Sequence, residues 1–298
     1  MSKKNIFNIY NILFWVLLAF IILIGTPVFN SLFKSTDTLK QWLNRFNKTE
    51  IVKKENEIKF DKKNAITIKW QWVDFSNKTQ LVSFSIMKQE VDKARNYRIN
   101  YSSNHIISER SIYLDFVEIS KPVIDSFAAA LSAGIQTNQY TENIDKLNYV
   151  VSAIQSPPYT KITDINECPC YDMGQNWVSD CSPRKDGKGC CNNVIPIGAY
   201  TPTEFTYLKT GDCDTKALLA YGILKKMGYD VAVIVGDADG GPHAMLAVAN
   251  VRPVIFSKYV KLGSKIYYPW EVTSRNNNSV LGNTSMWNSW KNWSVIIN

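Results

Sequence analysis

One cysteine in this sequence occupies a position that favours a nucleophilic thiolate. Cys213 lies in the stretch GDCDTKALLAYGILKKMG, where apolar residues recur at helical spacing and Gly228 can end the helix. Cys213 therefore falls in the first turn, where backbone N–H groups and the helix dipole are expected to lower the pKa of a thiol. Its polar neighbours Asp212 and Asp214 indicate a helix entrance, and a buried structural cysteine is the alternative.

Two further residues can complete a catalytic site. A thiolate needs an imidazole to carry its proton and a third group to orient that imidazole. The chain has two histidines. His243 opens the predicted strand PHAMLAVANV, whereas His105 lies in the polar stretch YSSNHIIS and is interpreted as a solvated loop residue. Glu271 ends a later predicted strand, KIYYPWEVTS, and can supply the orienting carboxylate; an edge-strand carboxylate in solvent is the alternative.

Five other cysteines are crowded into the segment before Cys213. Such a dense group of cysteines is typical of proteins in oxidising compartments, where cysteines form disulfides. The pairing cannot be deduced from the sequence. Zinc in a reducing compartment is the alternative, although the spacing C-x-C…C…CC lacks paired CxxC knuckles and no histidine lies nearby. A scaffold in which Cys213 pairs with the odd cysteine is a third interpretation. The cluster consists of Cys168, Cys170, Cys181, Cys190 and Cys191.

The N-terminal segment predicts a membrane anchor. Residues 12–29, ILFWVLLAFIILIGTPVF, carry no charge and follow the basic start MSKKN. This length is near the minimum for a spanning helix, whereas a cleaved signal peptide has a shorter apolar core and a small-residue cleavage site. We therefore expect a tail at 1–11 and an uncleaved, single-pass signal anchor at 12–33. Together with the cysteines, this predicts a main domain outside the cytoplasm, periplasmic or on the cell surface.

The basic charge of the chain does not indicate a nucleic-acid partner. The net charge is +8, and residues 34–63 contain nine Lys/Arg and five acids, a net of +4 in one short segment. A basic segment beside a membrane meets lipid head groups or stays solvated. We interpret residues 34–63 as a juxtamembrane linker and expect no nucleic acid.

The next part of the chain, residues 64–158, predicts a hairpin and helices. AITIKWQWVDF and QLVSFSI alternate apolar and polar residues, as half-buried strands do. SKPVIDSFAAALSAGIQ and TENIDKLNYVVSAIQ have helical spacing, with Ser120 and Thr141 in capping positions. The SPP at 156–158 ends the second helix because proline lacks a backbone donor.

The rest of the chain predicts an insertion followed by an α+β core. Residues 159–206 are expected to form a cysteine-rich loop region with turns at DGKGCC and PIGAYTP. In residues 207–298 the Cys213 helix is followed by YDVAVIVG, PHAMLAVANV and SKIYYPWEVT, three strand candidates. This order predicts a helix packed on an antiparallel sheet.

These same segments carry a resemblance to a known family. GDCDTKALLAYGILKKMGYDVAVIV, PHAMLAVANV and KIYYPWEVTS resemble the core of the transglutaminase-like superfamily of papain-fold cysteine enzymes. LNYVVSAIQSPPYT is also similar to the VQSIPY segment of a bacterial and archaeal subgroup of that superfamily. The resemblance covers residues 64–298, most strongly from 207 onward. It implies a transglutaminase-like, papain-like core in which Cys213 is the nucleophile, His243 the base and Glu271 the orienting acid.

The resemblance implies acyl chemistry without a cofactor or metal. A thiolate would attack an amide carbonyl, and water or an amine would resolve the acyl-enzyme; hydrolysis is preferred because water needs no acceptor site. The backbone N–H of Cys213 is the expected oxyanion donor, supported by Asp212 and Gln155, with a buried structural glutamine as the alternative for Gln155. The expected partner is a peptide or protein substrate. The functional alternative is a catalytically silent binding or scaffold subunit of a cell-envelope complex.

Two remaining motifs have structural and ligand-binding interpretations. Asp237 and Asp239 in GDADGG can be calcium ligands, but a simple turn is favoured because the full EF-hand spacing is missing. Trp287, Trp290 and Trp293 are three apart, which predicts one face of a short helix. An apolar lid on the core is favoured there over a carbohydrate platform.

Overall fold

The structure is a computed structural model, and its described residues belong to one unit of the chain, Lys62–Asn298. The predicted anchor at 12–33, His105, Trp287 and the cluster residues 168–190 lie outside the described residues. Within the described part, no helix is long and apolar enough to cross a membrane. The described ranges are 64–101, 109–163, 191–193, 197–239, 241–253, 258–273, 279–284 and 289–298.

The predicted N-terminal hairpin is present. Strands β1 (Ala65–Val73) and β2 (Thr79–Met87) pair antiparallel, from Ala65 opposite Met87 to Val73 opposite Thr79. Asn77 in the connecting turn has φ 62°, a left-handed conformation that asparagine tolerates better than most residues. One face of the hairpin is buried and the other exposed, which is the arrangement that its alternating sequence predicts.

Helices cover the buried face of this hairpin. The indole of Trp70 packs at a tilt against the ring of Phe127 and donates to the carbonyl of Ala153, so the hairpin packs on the third and fourth helices. The fourth helix is capped by Glu142 rather than by the predicted Thr141. Ser120 stands at the N-cap of the third helix but makes no side-chain cap bond. The four helices are α1 (Lys88–Ile99), α2 (Glu109–Ile119), α3 (Lys121–Thr137) and α4 (Asn143–Gln155).

The interpretation of residues 159–206 as loops alone is wrong. Thr201 caps the seven-residue helix α5 (Pro202–Leu208), where PIGAYTP predicted only a turn. The hydroxyl of Thr201 accepts from the backbone N–H of Glu204, and the Glu204 side chain accepts from the Thr201 backbone, which is a capping box. Two short parallel strands, β3 (Lys161–Thr163) and β4 (Cys191–Asn193), also lie here, although the Cys191 side chain is outside the described set.

The C-terminal part is α+β, as the sequence predicts, with a helix on a five-stranded antiparallel sheet. Helix α6 (Cys213–Lys226) ends before Gly228, whose φ is +88°. The strand order is β7-β8-β6-β5-β9. Both faces of β5 and β6 are covered, so these strands are continuous apolar runs. The strands are β5 (Val231–Ala238), β6 (Gly241–Val248), β7 (Val260–Leu262), β8 (Lys265–Trp270) and β9 (Trp290–Ile297).

The helix predicted for the C-terminal tryptophans is wrong. Trp290 and Trp293 belong to strand β9, which pairs with β5 through two register shifts. Asn292, between them, has φ 58°, so the backbone departs from regular strand geometry. This irregularity brings two residues three apart onto one side, where their rings stack with centroids 4.1 Å apart. A spacing of three therefore came from a bulged strand and not from a helix.

Candidate active site

The start of helix α6 is fixed by a cap and by a glycine. Asp212 is the N-cap, and its carboxylate accepts from the backbone N–H of Thr215 at 3.4 Å and from the Thr215 hydroxyl at 2.9 Å. A side chain at Gly211 would lie 2.8 Å from the ring of Phe205, so only glycine fits before the cap. This local structure sets Cys213 as the first residue of the helix.

The Cys213 thiol is buried between the helix start and strand β6. It is a free thiol with 9% of its surface exposed. Its sulfur donates to Oδ1 of Asp214 at 3.0 Å and accepts from the backbone N–H of Ala244. Since Ala244 follows His243 on β6, this contact brings the thiol against the histidine-bearing strand.

The prediction that the helix start lowers the pKa of Cys213 is wrong. Burial raises the pKa of the thiol well above its usual value, and the negative charges of Asp214 and Asp212 raise it further. The hydrogen bond that the thiol donates to Asp214 acts in the same direction, and only the Ala244 N–H opposes it. The resting thiol is therefore protonated, because the helix dipole is outweighed by burial and by two adjacent carboxylates.

His243 and Glu271 form a buried pair. Nε2 of His243 lies 2.7 Å from Oε2 of Glu271, so the interpretation of Glu271 as a solvent-exposed carboxylate is wrong. The other carboxylate oxygen, Oε1, accepts from the backbone N–H and the hydroxyl of Thr273 at 2.7 and 2.6 Å. The pairing engages Nε2 and makes Nδ1 the ring nitrogen that can exchange a proton with a nucleophile.

The surroundings of Glu271 keep it ionised. Burial by itself would raise the pKa of this carboxyl. The charge of His243, its hydrogen bond and the two bonds from Thr273 outweigh that cost, so the pKa lies below its usual value of 4.5. A buried anion that accepts from an imidazole can orient the ring and stabilise its protonated form.

Gln155 lies near the site, but its side-chain amide donates to two backbone carbonyls. Its Nε2 donates to the carbonyl of Glu271 at 2.7 Å and to that of Ser279 at 3.4 Å. This arrangement agrees with the alternative of a buried structural glutamine. Gln155 thus fixes the backbone of the residue that carries the orienting carboxylate.

Lys216, which the sequence reasoning missed, joins the segments around the site. It is fully buried on α6, one turn after Cys213. Its Nζ donates to the carbonyls of Pro157 and Thr273, both at 2.6 Å, and to that of Gln155 at 3.4 Å. The only sequence signal is a lysine beside the apolar positions of an otherwise buried helix.

A tryptophan packs against the histidine. The ring of Trp293 lies edge-on to His243, with centroids 6.3 Å apart. Gly236 stands opposite His243 in the β5–β6 pairing, and a side chain there would come within 2.5 Å of the Trp293 indole. The absence of a side chain at Gly236 therefore provides the space for Trp293.

The two aspartates of GDADGG hold strand β9. Asp237 Oδ2 accepts from the amide of Asn292 at 2.8 Å, and Asp239 Oδ1 accepts from the backbone N–H of Ser289 at 2.9 Å. Among the described residues, no group of three or more His, Cys, Asp or Glu side chains could hold a metal ion. The interpretation of this segment as a turn agrees with the β5–β6 hairpin that it connects.

Comparison with known proteins gave no match to a family model, a curated protein or a solved structure.

Proposed function

We propose that this protein is a membrane-anchored, transglutaminase-like cysteine enzyme that acts on amide or peptide bonds through Cys213, His243 and Glu271. The observation that carries the proposal is the buried His243–Glu271 pair, with its 2.7 Å contact, on strands packed against a helix that begins with a free cysteine. Such a combination supplies a nucleophile, a proton carrier and an orienting anion in one region.

The arrangement of elements supports the transglutaminase-like assignment. In that superfamily the cysteine lies on a helix and the histidine and acid lie on two neighbouring strands. Here His243 is on β6 and Glu271 directly follows β8, and these two strands are paired in the sheet. Cys213 begins the helix that packs on β6, which matches the implied order.

The proposed reaction begins with a transfer of the thiol proton. The thiol leaves its Asp214 partner and gives its proton to Nδ1 of His243, while Glu271 stabilises the resulting imidazolium. The sulfur attacks the carbonyl carbon, and the carbonyl electron pair moves onto oxygen. When this intermediate collapses, the amine leaves with the proton from His243. Water then attacks the acyl-enzyme, and hydrolysis is preferred over transfer to an amine because water needs no acceptor site.

The proposed location follows from the N-terminal sequence. Residues 12–33 have the apolar character of a single-pass anchor, and residues 34–63 have that of a basic juxtamembrane linker. The five clustered cysteines suit an oxidising compartment. We therefore propose an extracytoplasmic domain, on the periplasmic or outer face of a membrane, that meets peptide or protein substrates in the cell envelope.

A catalytically silent binding subunit is the second candidate. It is favoured by one observation: the Cys213 thiol donates to Asp214 and its pKa is raised, so the resting cysteine is not a thiolate. In that case the fold would recognise peptides without cleaving them. Reactivity of the thiol separates the two functions.

The test is alkylation of the full-length protein in detergent by iodoacetamide, followed by peptide mapping. We expect alkylation of Cys213 to depend on proton transfer to the histidine, so His243→Ala should slow that reaction because the proton acceptor is gone. Slow alkylation of Cys213 that is indifferent to His243→Ala would support the silent subunit. Recovery of Cys213 in a disulfide under non-reducing conditions would instead support the cysteine-rich scaffold.

A further inference from the structure

Lys216 is a fully buried lysine on the helix that begins with Cys213. Lysine is almost never fully buried unless its polar head finds partners, because burial of an unsatisfied charge is costly. The next four residues of α6, 217–220, are apolar and equally buried, so packing alone would favour an apolar side chain at position 216 as well. The lysine therefore needs a reason beyond the filling of the core.

The head group of Lys216 joins the nucleophile helix to two distant segments. Its Nζ donates to the carbonyls of Pro157 and Thr273, both at 2.6 Å, and to that of Gln155 at 3.4 Å. An ammonium has three N–H donors and no acceptor, so three carbonyls match it, whereas a neutral amine would leave one of them without a donor. Hydrogen bonds from a charged donor are also shorter and stronger than neutral ones.

The orienting acid lies just beyond the hydrogen-bonded part of the sheet. The ladder between β6 and β8 ends at the pair of Leu246 and Trp270, and Glu271 is the next residue. Its carbonyl accepts from Nε2 of Gln155 at 2.7 Å, and the carbonyl two residues later accepts from Lys216. Lys216 also donates to the carbonyl of Gln155, so both of these bonds lead back to α6.

This network reaches the carboxylate itself. The backbone N–H and the hydroxyl of Thr273 donate to Oε1 of Glu271 at 2.7 and 2.6 Å, and Oε2 lies 2.7 Å from Nε2 of His243. The position of Thr273 therefore sets the orientation of the carboxylate, and through it that of the imidazole. Since Lys216 holds Thr273, one helix places both Cys213 and the acid.

We propose that Lys216 is a positioning residue for the acyl transfer: directly at Thr273, and through Gln155, it holds the Glu271 carboxylate in line with the His243 imidazole. This inference rests on the proposed function, because it assigns what keeps the three groups of that reaction aligned. Lys216 acts through Glu271 and exchanges no proton itself.

The first test is Lys216→Met, which keeps an unbranched side chain of similar size and removes all three donors. The full-length protein in detergent is treated with 4-nitrophenyl acetate, which acetylates a thiol and releases 4-nitrophenolate. A misplacement of about 1 Å in an active site can cost about 10²-fold in rate. We expect the rate of Cys213 acetylation in the folded protein to fall by about that factor.

A double-mutant cycle with Glu271→Ala separates positioning from a general loss of stability. Glu271→Ala removes the side chain through which Lys216 is proposed to act. Residues that act as one unit give non-additive losses. Lys216→Met should therefore lower the acetylation rate much less in the Glu271→Ala background than in the wild type, whereas a merely structural lysine would lower it equally in both.

Arg98→Met is the matched control for the loss of a buried cation. Arg98 is buried on α1, where it pairs with Glu204 at 2.8 Å. Folded Arg98→Met protein should be acetylated at the wild-type rate.

Gln155→Met provides a second variant that leaves Lys216 in place. It removes the donor to the Glu271 carbonyl. We expect it to slow acetylation, and we expect that loss to vanish in the Glu271→Ala background. If Lys216→Met does not fold, this cycle decides in its place.

The outcomes distinguish a failure of this inference from a failure of the proposed function. A wild-type rate in the folded variant, or losses that add to that of Glu271→Ala, would overturn the positioning role while the enzyme itself stands. If wild-type Cys213 is not selectively acetylated, the proposed function is overturned and the role of Lys216 falls with it. A loss of rate that depends on Glu271 supports both.

Discussion

Two buried side-chain pairs of similar length have opposite characters in this protein. Arg98 on α1 and Glu204 on α5 meet at 2.8 Å, and His243 and Glu271 meet at 2.7 Å. Arg98 uses both Nε and Nη2 on the Glu204 carboxylate, and arginine does not release its proton at any ordinary pH. An imidazole, unlike a guanidinium, can accept a proton and pass it on during a reaction. The first pair can therefore only hold helices together, whereas the second can do chemistry.

The neighbours of the two carboxylates sharpen this contrast. Glu204 also accepts from the backbone and hydroxyl of Thr201, so the Arg98 pair is built into the cap of α5. Glu271 accepts from Thr273 with the oxygen that His243 does not use. Both acids have their oxygens satisfied, as buried charges must. What distinguishes the site is the titratable partner and the adjacent thiol.

The largest effect is expected from removal of the site anion. Glu271→Gln keeps the shape of the side chain but no longer stabilises a protonated His243. We expect the rate at which 4-nitrophenyl acetate acetylates Cys213 to fall by about 10³–10⁴-fold. The measurement is the release of 4-nitrophenolate from that reagent. A rate within the range of the wild type would show that Glu271 holds structure in the way that Glu204 does.

The next effect concerns stability. Arg98→Met leaves Glu204 buried without its cation, and we expect the free energy of unfolding in urea to fall by about 3–5 kcal/mol. Lys88→Met, at the exposed Lys88–Asp92 pair, is the control and should change stability little. Folded Arg98→Met protein should still be alkylated at Cys213 at the wild-type rate. A lower rate in the folded fraction would mean that the two pairs are coupled.

A smaller effect is expected in the pH dependence of the rate at which Cys213 is alkylated. Since the charge of Asp214 and its hydrogen bond raise the pKa of Cys213, Asp214→Asn should lower that pKa and raise the alkylation rate at neutral pH. The gain is about tenfold for each unit by which the pKa falls. The wild-type rate should keep rising above the usual cysteine pKa of about 8.5.

Asp92→Asn, at an exposed position, is the control for the loss of one negative charge. It should leave the midpoint of the alkylation profile in place. An unchanged profile in Asp214→Asn would contradict the assignment of the raised pKa to Asp214.

The parts of the fold that the sequence predicted are those with a clean periodicity. The hairpin alternates because one face is solvated, and helix α6 has its apolar residues and its terminal Gly228 in regular positions. Helix α1 was missed because it is polar and buries only Val91, Ala94 and Arg98. Strand β9 was mistaken for a helix because its bulges disturb the alternation.

The candidate site was predictable in its residue types but not in its electrostatics. Residue type and spacing were enough to predict a cysteine at a helix start, a histidine on a strand and a later glutamate. The raised pKa of Cys213 was not predictable, because its burial depends on distant segments and the Asp214 carboxylate accepts from the hydroxyl of Tyr113, on α2, at 2.8 Å. Lys216 was missed for the same reason, since its partners come from distant segments of the chain.

The most direct test of the account is whether Cys213 forms an acyl-enzyme that depends on His243. The full-length protein would be treated with 4-nitrophenyl acetate, and acetylated peptides identified by mass spectrometry in the wild type and in His243→Ala. We expect an acetyl group on Cys213 in the wild type and its near absence in the variant. No acetyl group on Cys213, or the same extent of acetylation in both proteins, would contradict it.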